Sequence, residues 1–125
     1  LFIVNLHTIK KNVLRGIHGD FKSYKIVQCV YGKIFQVVVD CRKDSPNYLK
    51  YDSFELSHNN PKLIVIPPGF GNAFQVLNDF AIYNYKLAYI GNYNDFDQQF
   101  TYKWNDKIIN INWPIKTPVL SNRDK

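Results

Sequence analysis

The sequence lacks most of the signatures that identify common enzyme classes. No run of about 18 apolar residues is present, so no membrane-spanning helix is predicted. The three histidines, His7, His18 and His58, are scattered and form no His-x-His pair, so a metal site built on clustered histidines is not indicated. A phosphate-binding glycine loop, a dinucleotide fingerprint and a serine in a nucleophile elbow are also missing. The chemistry that the sequence still allows is proton transfer by histidine, tyrosine, lysine and carboxylate side chains.

Cysteine is scarce as well, since only Cys29 and Cys41 occur. The turn signal Tyr31-Gly32-Lys33-Ile34 predicts a hairpin between two strands, which would place Cys29 opposite Gln36 and leave the two thiols too far apart for a disulfide. Two unpaired, buried thiols fit a reducing cytoplasm, and we expect both to be core residues rather than nucleophiles.

The composition is that of a packed globule with a positive surface. Hydrophobic residues make up 46% and aromatic residues 16% of the 125 positions, which suits one domain over residues 1–125. The formal net charge is +6, and the lysines are dispersed rather than gathered in one block. This charge favours an anionic partner, and a phosphorylated small ligand is expected ahead of a nucleic acid.

Short segments rich in Val, Ile, Tyr and Phe are separated by turn signals at intervals of about ten residues, and no helical periodicity extends beyond about two turns. This pattern predicts an all-β protein, an antiparallel sandwich or barrel. The predicted strands are 1–5, 24–30, 34–41, 52–56, 62–66, 72–77 and 81–89, with one more around 108–111. Residues 7–12 are expected to form a turn with His7 solvated. Gln36 and Asp40 share one strand face, which either ends at solvent or lines a cavity.

Residues 14–20 (LRGIHGD) combine an arginine, a histidine and two glycines. Arg15 is permanently cationic and suits a phosphate or carboxylate, and His18 is the natural proton-transfer residue near neutral pH. A regular strand sends residues three apart to opposite faces. The glycines permit a bend that aims both side chains at one cavity.

A series of short motifs runs through almost the whole chain in a fixed order. They are 13–18 (VLRGIH), 31–32 (YG), 37–42 (VVVDCR), 66–74 (IPPGFGNAF), 76–77 (VL), 85–86 (YK), 104–106 (WND), 112–114 (NWP) and 120–124 (LSNRD). Together they resemble the dTDP-4-dehydrorhamnose 3,5-epimerase family, a metal-free branch of the cupins. The resemblance implies a jelly roll of the cupin type without metal or other cofactor. It also implies a cytoplasmic homodimer that pairs by sheet edges and has no nucleic acid or membrane partner.

The same resemblance implies a reaction and the residues that perform it. The substrate is a nucleotide-diphosphate 4-keto-6-deoxy sugar, which is epimerised at C3, C5 or both through an enolate, for surface polysaccharide synthesis. His18 matches the base, Asp124 the carboxylate that orients it, and Tyr85 the acid on the other face of the sugar ring. On the substrate side, Lys25 matches the family's lysine near the enolate oxygen, and Arg15 matches an arginine that helps hold the substrate. Asn5 matches an asparagine ahead of the first motif.

The chain departs from the family pattern at two places near the expected site. Asn72 stands where the family usually has a histidine, which is paired with a carboxylate at the position of Asp40. An amide donates to an oxyanion but does not carry a proton away, so we expect reaction at a single carbon or a different sugar. Gly19-Asp20 replaces an aromatic-Gln pair. With Gly71-Asn72, it resembles a subgroup that acts on GDP-linked 4-keto-heptoses or similar modified sugars.

Three further expectations accompany the resemblance. Family members begin with a segment that crosses to the partner subunit, and this segment is expected to be absent from the chain. A 3,4-ketoisomerase on a related scaffold remains an alternative, although the LRGIH and LSNRD motifs favour the epimerase. A non-catalytic sugar-nucleotide binding subunit is the other alternative, and the presence of His18, Tyr85 and Asp124 disfavours it.

Overall fold

The structure is a computed structural model and describes residues 2–89 and 99–125. Ten strands occur in these ranges: β1 (Phe2–Lys10), β2 (Val13–Gly19), β3 (Tyr24–Tyr31), β4 (Lys33–Asp40), β5 (Tyr51–Ser57), β6 (Ile64–Ile66), β7 (Phe70–Val76), β8 (Phe80–Ala88), β9 (Phe100–Thr101) and β10 (Val119–Leu120). A short 3-10 helix, Asn122–Asp124, follows β10. The prediction of an all-β protein is confirmed. None of the helices in the described ranges has the length and apolar character to cross a membrane.

The strands form two sheets. One sheet has four strands in the order β1-β8-β3-β6, and the other has the order β10-β2-β7-β4-β5, with β9 also paired to β2. All pairs are antiparallel except β10 with β2. This two-sheet architecture confirms the predicted antiparallel sandwich.

Both faces of the six-stranded sheet carry buried side chains at its centre. Its inner face packs against the four-stranded sheet, where Val27 and Ile34 belong to one cluster of buried side chains. Its outer face carries Val37 and Val39, which are covered by Trp113 from the segment after β9. Burial on both faces is the reason that β4 has an almost continuous apolar sequence.

The predicted hairpin between β3 and β4 is wrong. The first of these strands pairs with β6 and β8, and the second pairs with β5 and β7, so the chain crosses between the sheets at Gly32, where φ is +83°. The turn signal was a property of the local backbone, whereas the pairing depends on which faces are buried together. Cys29 and Cys41 are buried and unpaired, as expected.

Two other local predictions are also wrong. The first strand continues to Lys10, which places His7 in a strand rather than a turn. The predicted strand at 108–111 is a turn instead, because the Asp106 carboxylate accepts the backbone N–H groups of Ile108 and Ile109 at 2.8 and 3.1 Å. A side chain that binds nearby backbone groups competes with strand pairing in this way.

The bend predicted in residues 14–20 is confirmed. In the pairing of β2 with β7, Arg15 lies opposite Phe74 and His18 lies opposite Asn72, so β2 contains one extra residue between these pairs. Gly16 has φ of +124°, and a Cβ there would lie 2.5 Å from the Cβ of Ala73. This bulge changes the alternation of the strand and brings Arg15 and His18 to one cavity.

Candidate active site

A cavity of about 170 Å³ lies between the two sheets. Its lining comes from β1, β3 and β8 of one sheet and from β2 and β7 of the other. Gln99, just before β9, and Arg123, in the 3-10 helix, complete it. Five residues predicted from the sequence line it: Arg15, His18, Lys25, Asn72 and Tyr85. The sandwich therefore gathers side chains that are far apart in the sequence.

The His18 imidazole is held by a buried carboxylate. Its Nε2 lies 2.7 Å from Oδ1 of Asp124, in the 3-10 helix. The other carboxylate oxygen, Oδ2, accepts the Gly16 N–H at 3.3 Å and the Ser121 hydroxyl at 3.1 Å. Because Nε2 carries the proton that Asp124 accepts, Nδ1 carries the lone pair, and the Thr101 hydroxyl donates to it at 3.1 Å. The carboxylate thus selects the tautomer in which Nδ1 is the basic atom.

Burial keeps this histidine neutral. The largest influence on its pKa is desolvation, which lowers the pKa of His18 below its ordinary value. The Asp124 charge opposes this shift, while the charges of Arg123 and Lys25 lower the pKa further. A neutral imidazole at pH 7 is the form that a general base requires.

The wall opposite His18 belongs to the four-stranded sheet. Tyr85 on β8 and Lys25 on β3 both face the cavity from this side. Lys25 is only 4% exposed, and its Nζ donates to the His18 carbonyl at 3.5 Å. Burial lowers the pKa of Lys25, with partial opposition from the charge of Asp20. Histidine and tyrosine therefore approach a shared space from different sheets.

Asn72 bonds to residues other than Asp40, which stands at the position of the carboxylate that pairs with the family's histidine. Alternation places Gln36 and Asp40 on the same face of β4, two residues either side of Val38, which lies opposite Asn72. The Asn72 side chain bonds to Gln36 and to Tyr83. Gln36 therefore contacts the cavity-lining residue Asn72, whereas Asp40 does not.

The Asp40 carboxylate is occupied elsewhere. It accepts Nε and Nη2 of Arg42 at 3.0 and 2.9 Å and the Ser45 hydroxyl at 2.6 Å. These bonds, with the Arg42 guanidinium foremost, hold the pKa of Asp40 well below its usual range. The carboxylate lies outside the lining of the central cavity and borders a separate surface depression. Its contacts indicate that it orders the loop after β4.

Several residues that were not predicted as site residues complete the cavity. Asn5 lies opposite Tyr85 in the pairing of β1 with β8, but it is not part of the lining. The lining residues that were not predicted from the sequence as site residues are His7, Ile9, Phe74, Tyr83, Gln99 and Arg123. Extending the period-two alternation of the first strand beyond residue 5 would have found His7 and Ile9. Arg123 lies within the LSNRD motif beside Asp124.

The cavity is strongly cationic. Arg15, Lys25 and Arg123 supply three basic side chains, and no Asp or Glu occurs among the described residues of the lining. The Arg123 Nη2 also donates to Oε1 of Gln99 at 2.6 Å. A site of this charge suits an anionic ligand, and guanidinium groups match phosphate oxygens in shape.

Comparison with known proteins identifies the family. The family model described as dTDP-4-dehydrorhamnose 3,5-epimerase matches residues 3–125. The dTDP-4-dehydrorhamnose 3,5-epimerase of Shigella flexneri is 42% identical over 117 residues, covering 91% of this chain and 63% of that protein. The chain thus spans less than two thirds of the length of this relative.

Solved structures agree with this assignment. NovW, a 4-keto-6-deoxy sugar epimerase from the novobiocin biosynthetic gene cluster of Streptomyces spheroides, superimposes with a TM-score of 0.90 at 32% identity, covering 98% of this chain and 61% of NovW. The dTDP-6-deoxy-D-glucose-3,5-epimerase of Legionella pneumophila, in complex with dTDP-4-keto-L-rhamnose, also gives 0.90, at 31% identity over 99% of this chain and 66% of that one. The chain belongs to the dTDP-4-dehydrorhamnose 3,5-epimerase family.

Proposed function

We propose that the protein epimerises a nucleotide-linked 4-keto-6-deoxy sugar at C3, C5 or both. The observation that carries this proposal is the placement of the His18–Asp124 pair on one sheet and Tyr85 on the other, with the cavity between them. Inversion of a carbon needs a base on one face of the sugar ring and an acid on the opposite face. A cavity walled by two sheets supplies both.

The proposed reaction moves one proton off the ring and another onto it. The C4 ketone acidifies the neighbouring C–H, and Nδ1 of His18 removes that proton while the electron pair moves to the C4 oxygen. Asp124 stabilises the resulting imidazolium. The enolate then collapses to the ketone as the Tyr85 hydroxyl gives its proton to the opposite face of the same carbon. The Thr101 hydroxyl must leave Nδ1 before the C–H can approach, because both use the same lone pair.

The negative charge on the C4 oxygen needs donors that are already in place. Lys25 is nearly fully buried beside His18, and we propose that its ammonium lies next to the enolate oxygen. Electrostatic stabilisation of this kind is strong in a site from which water is excluded. We assign Asn72 to the same oxygen, as a neutral donor that lines the cavity beside His18, on the neighbouring strand of the same sheet.

For the nucleotide we propose dTDP. Arg15 and Arg123 are exposed cations at the cavity and are placed to hold the diphosphate. The Legionella relative was solved with dTDP-4-keto-L-rhamnose, which supports the same nucleotide here. Asn5, opposite Tyr85 on the neighbouring strand, remains a substrate-side candidate, whereas the contacts of Asp40 speak against a substrate role for that residue.

We propose the cytoplasm as the site of the reaction. Burial raises the pKa of the Cys29 and Cys41 thiols to about 11, so that both remain protonated near neutral pH. Protonated, buried thiols are poor nucleophiles and take the place of small apolar core residues. Two unpaired cysteines fit a compartment that keeps thiols reduced.

We also propose a homodimer in which a second copy of the chain covers the outer face of the four-stranded sheet, in place of the pairing by sheet edges that the resemblance implies. Val4, Leu6, Tyr24 and Val65 are between 55% and 62% exposed on this face. Exposed apolar side chains grouped on one sheet face mark an interaction site, and in a dimer with two-fold symmetry this face of one copy meets the same face of the other. A homodimer formed in this way would leave the cavity between the sheets accessible.

Replacing His18 with asparagine tests the base. We expect His18→Asn to slow deuterium incorporation from heavy water at C3 and C5 of a dTDP-linked 4-keto-6-deoxy sugar by about 10²–10⁴-fold, with dTDP affinity nearly unchanged. The exchange is followed by proton NMR. His58→Asn is the matched control, because His58 is exposed and lies outside the cavity lining.

Other outcomes would select other functions. Undiminished exchange in His18→Asn would rule out the proposed base. Absence of exchange in the wild type, with dTDP bound, would favour a binding subunit. Movement of the ketone from C4 to C3, seen by carbon NMR, would favour a ketoisomerase. Exchange with a GDP-linked sugar but not a dTDP-linked one would change the nucleotide.

The pH dependence of the reaction follows from the environment of His18. Because the base must be neutral, kcat/KM should fall as pH decreases through a pKa that lies below the ordinary value for histidine. Arg123→Gln removes a charge that lowers this pKa and should move the acid limb to higher pH. Asp124→Asn removes a charge that raises the pKa and should move the limb to lower pH, with a loss of kcat. Shifts in the same direction for both variants would contradict this electrostatic assignment.

Sedimentation or light scattering tests the dimer. Leu6→Glu should convert the dimer to a monomer, because it places a carboxylate within the buried interface. Val119→Glu is the matched control, since Val119 is 54% exposed on the other sheet and should leave the mass unchanged. A monomeric wild type, or a Leu6→Glu variant that remains dimeric, would show that this face is not the interface.

A further inference from the structure

Three side chains beneath the cavity form a closed ring of hydrogen bonds. Gln36 on β4 donates from Nε2 to Oδ1 of Asn72 on β7. Asn72 donates from Nδ2 to the Tyr83 hydroxyl on β8 at 3.2 Å, and this hydroxyl donates to Oε1 of Gln36 at 3.1 Å. Within the ring each member donates once and accepts once, so the ring connects the two sheets. The Tyr83 hydroxyl also lies 3.5 Å from Oδ1 of Asn72, a longer contact than the one to Gln36.

A backbone carbonyl sets the direction in which the ring runs. The Nε2 of Gln36 also donates to the Val37 carbonyl at 3.2 Å, and a carbonyl only accepts hydrogen bonds. The nitrogen end of Gln36 is therefore fixed, and Asn72 must turn its oxygen towards it. The Nδ2 of Asn72 is then left facing Tyr83, whose proton is directed to Oε1 of Gln36.

The ring is neutral and keeps its polarity over the ordinary pH range. Gln36 is fully buried and Tyr83 is 3% exposed. The two amides do not ionise, and burial raises the pKa of the Tyr83 hydroxyl far above neutrality. Apart from Tyr83, the ionisable residues among the described cavity lining are His7, Arg15, His18, Lys25, Tyr85 and Arg123.

Asn72 is the member of the ring that lies next to the proposed base, on the neighbouring strand of the same sheet. It pairs with His18 across β2 and β7 and lines the cavity. A primary amide nitrogen has two protons, and among the described residues only Tyr83 accepts one from Nδ2. The second proton is available to a ligand in the cavity.

We propose that Gln36 and Tyr83 are positioning residues that hold Asn72 with an N–H towards the cavity, as an uncharged donor to the enolate oxygen. This inference rests on the proposed epimerase function and adds two residues to it. It also gives a reason for an amide at this position. An oriented N–H stabilises the enolate but does not exchange a proton with the carbon, which leaves proton delivery to Tyr85.

An isosteric change reverses the ring. In Gln36→Glu both terminal atoms accept, so Asn72 should rotate and donate Nδ2 to the new carboxylate, which replaces the N–H at the cavity with a carbonyl. We expect kcat to fall by about 10²-fold, the effect of losing one oxyanion donor, with little change in KM. Gln75→Glu is the matched control. Gln75 is also fully buried, but it bonds to Ile115 away from the cavity, so this variant should lose stability without losing kcat.

Tyr83→Phe tests the ring without adding a charge. It removes the acceptor of Asn72 and should lower kcat by about tenfold, whereas in an Asn72→Ala background it should have almost no further effect. Fully additive losses in the double variant, or unchanged kcat in both Gln36→Glu and Tyr83→Phe, would overturn the proposal.

Side-chain NMR separates a failure of this inference from a failure of the proposed function. The Asn72 amide of the ¹⁵N-labelled protein should show one slowly exchanging proton that becomes fast in Tyr83→Phe. If this is observed but the wild type catalyses no exchange at C3 or C5, the proposed function fails and the donor role fails with it. If the wild type exchanges but the Asn72 protons are equally fast in wild type and variant, only the ring assignment fails.

Discussion

The contact between Nε2 of His18 and Oδ1 of Asp124 is the interaction on which the site depends. It joins the bulged strand β2 to the 3-10 helix that follows β10, and the same carboxylate binds the Gly16 N–H. The buried Asp124 carboxylate therefore fixes the position and the tautomer of the imidazole, and it also holds the backbone bend at Gly16 that turns His18 towards the cavity. An unpaired carboxylate in this position would be costly, so the local fold and the basic nitrogen are maintained together.

The two-sheet architecture places the proposed base and the proposed acid on opposite sides of the cavity. Base and carboxylate belong to the six-stranded sheet and its C-terminal extension, whereas Tyr85 and Lys25 belong to the four-stranded sheet. A sugar ring bound between the sheets has a different reactive group over each face. The outer face of the six-stranded sheet is buried under the segment that contains Trp113, so this wall is supported from behind.

The sequence predicted the parts of the structure that depend on local chemistry. The bend in residues 14–20 followed from glycine, and the all-β class followed from short strands and turns. Strand partners did not follow, because a turn signal carries no information about which faces are buried together. The role of Gln36 rather than Asp40 was also beyond the sequence. Alternation places both on one face, and only the contacts with Arg42 show that Asp40 is engaged elsewhere.

The central claim is that base and acid act from opposite walls, and Tyr85→Phe tests it most directly. Proton NMR in heavy water separates deuterium incorporation at C3 or C5 from formation of the inverted sugar. If base and acid act from opposite walls, the Tyr85→Phe variant should still introduce deuterium into the sugar through His18 but should form almost no inverted product. Inversion at the wild-type rate, or loss of deuterium incorporation to the same extent as loss of inversion, would contradict the assignment of Tyr85 as the acid.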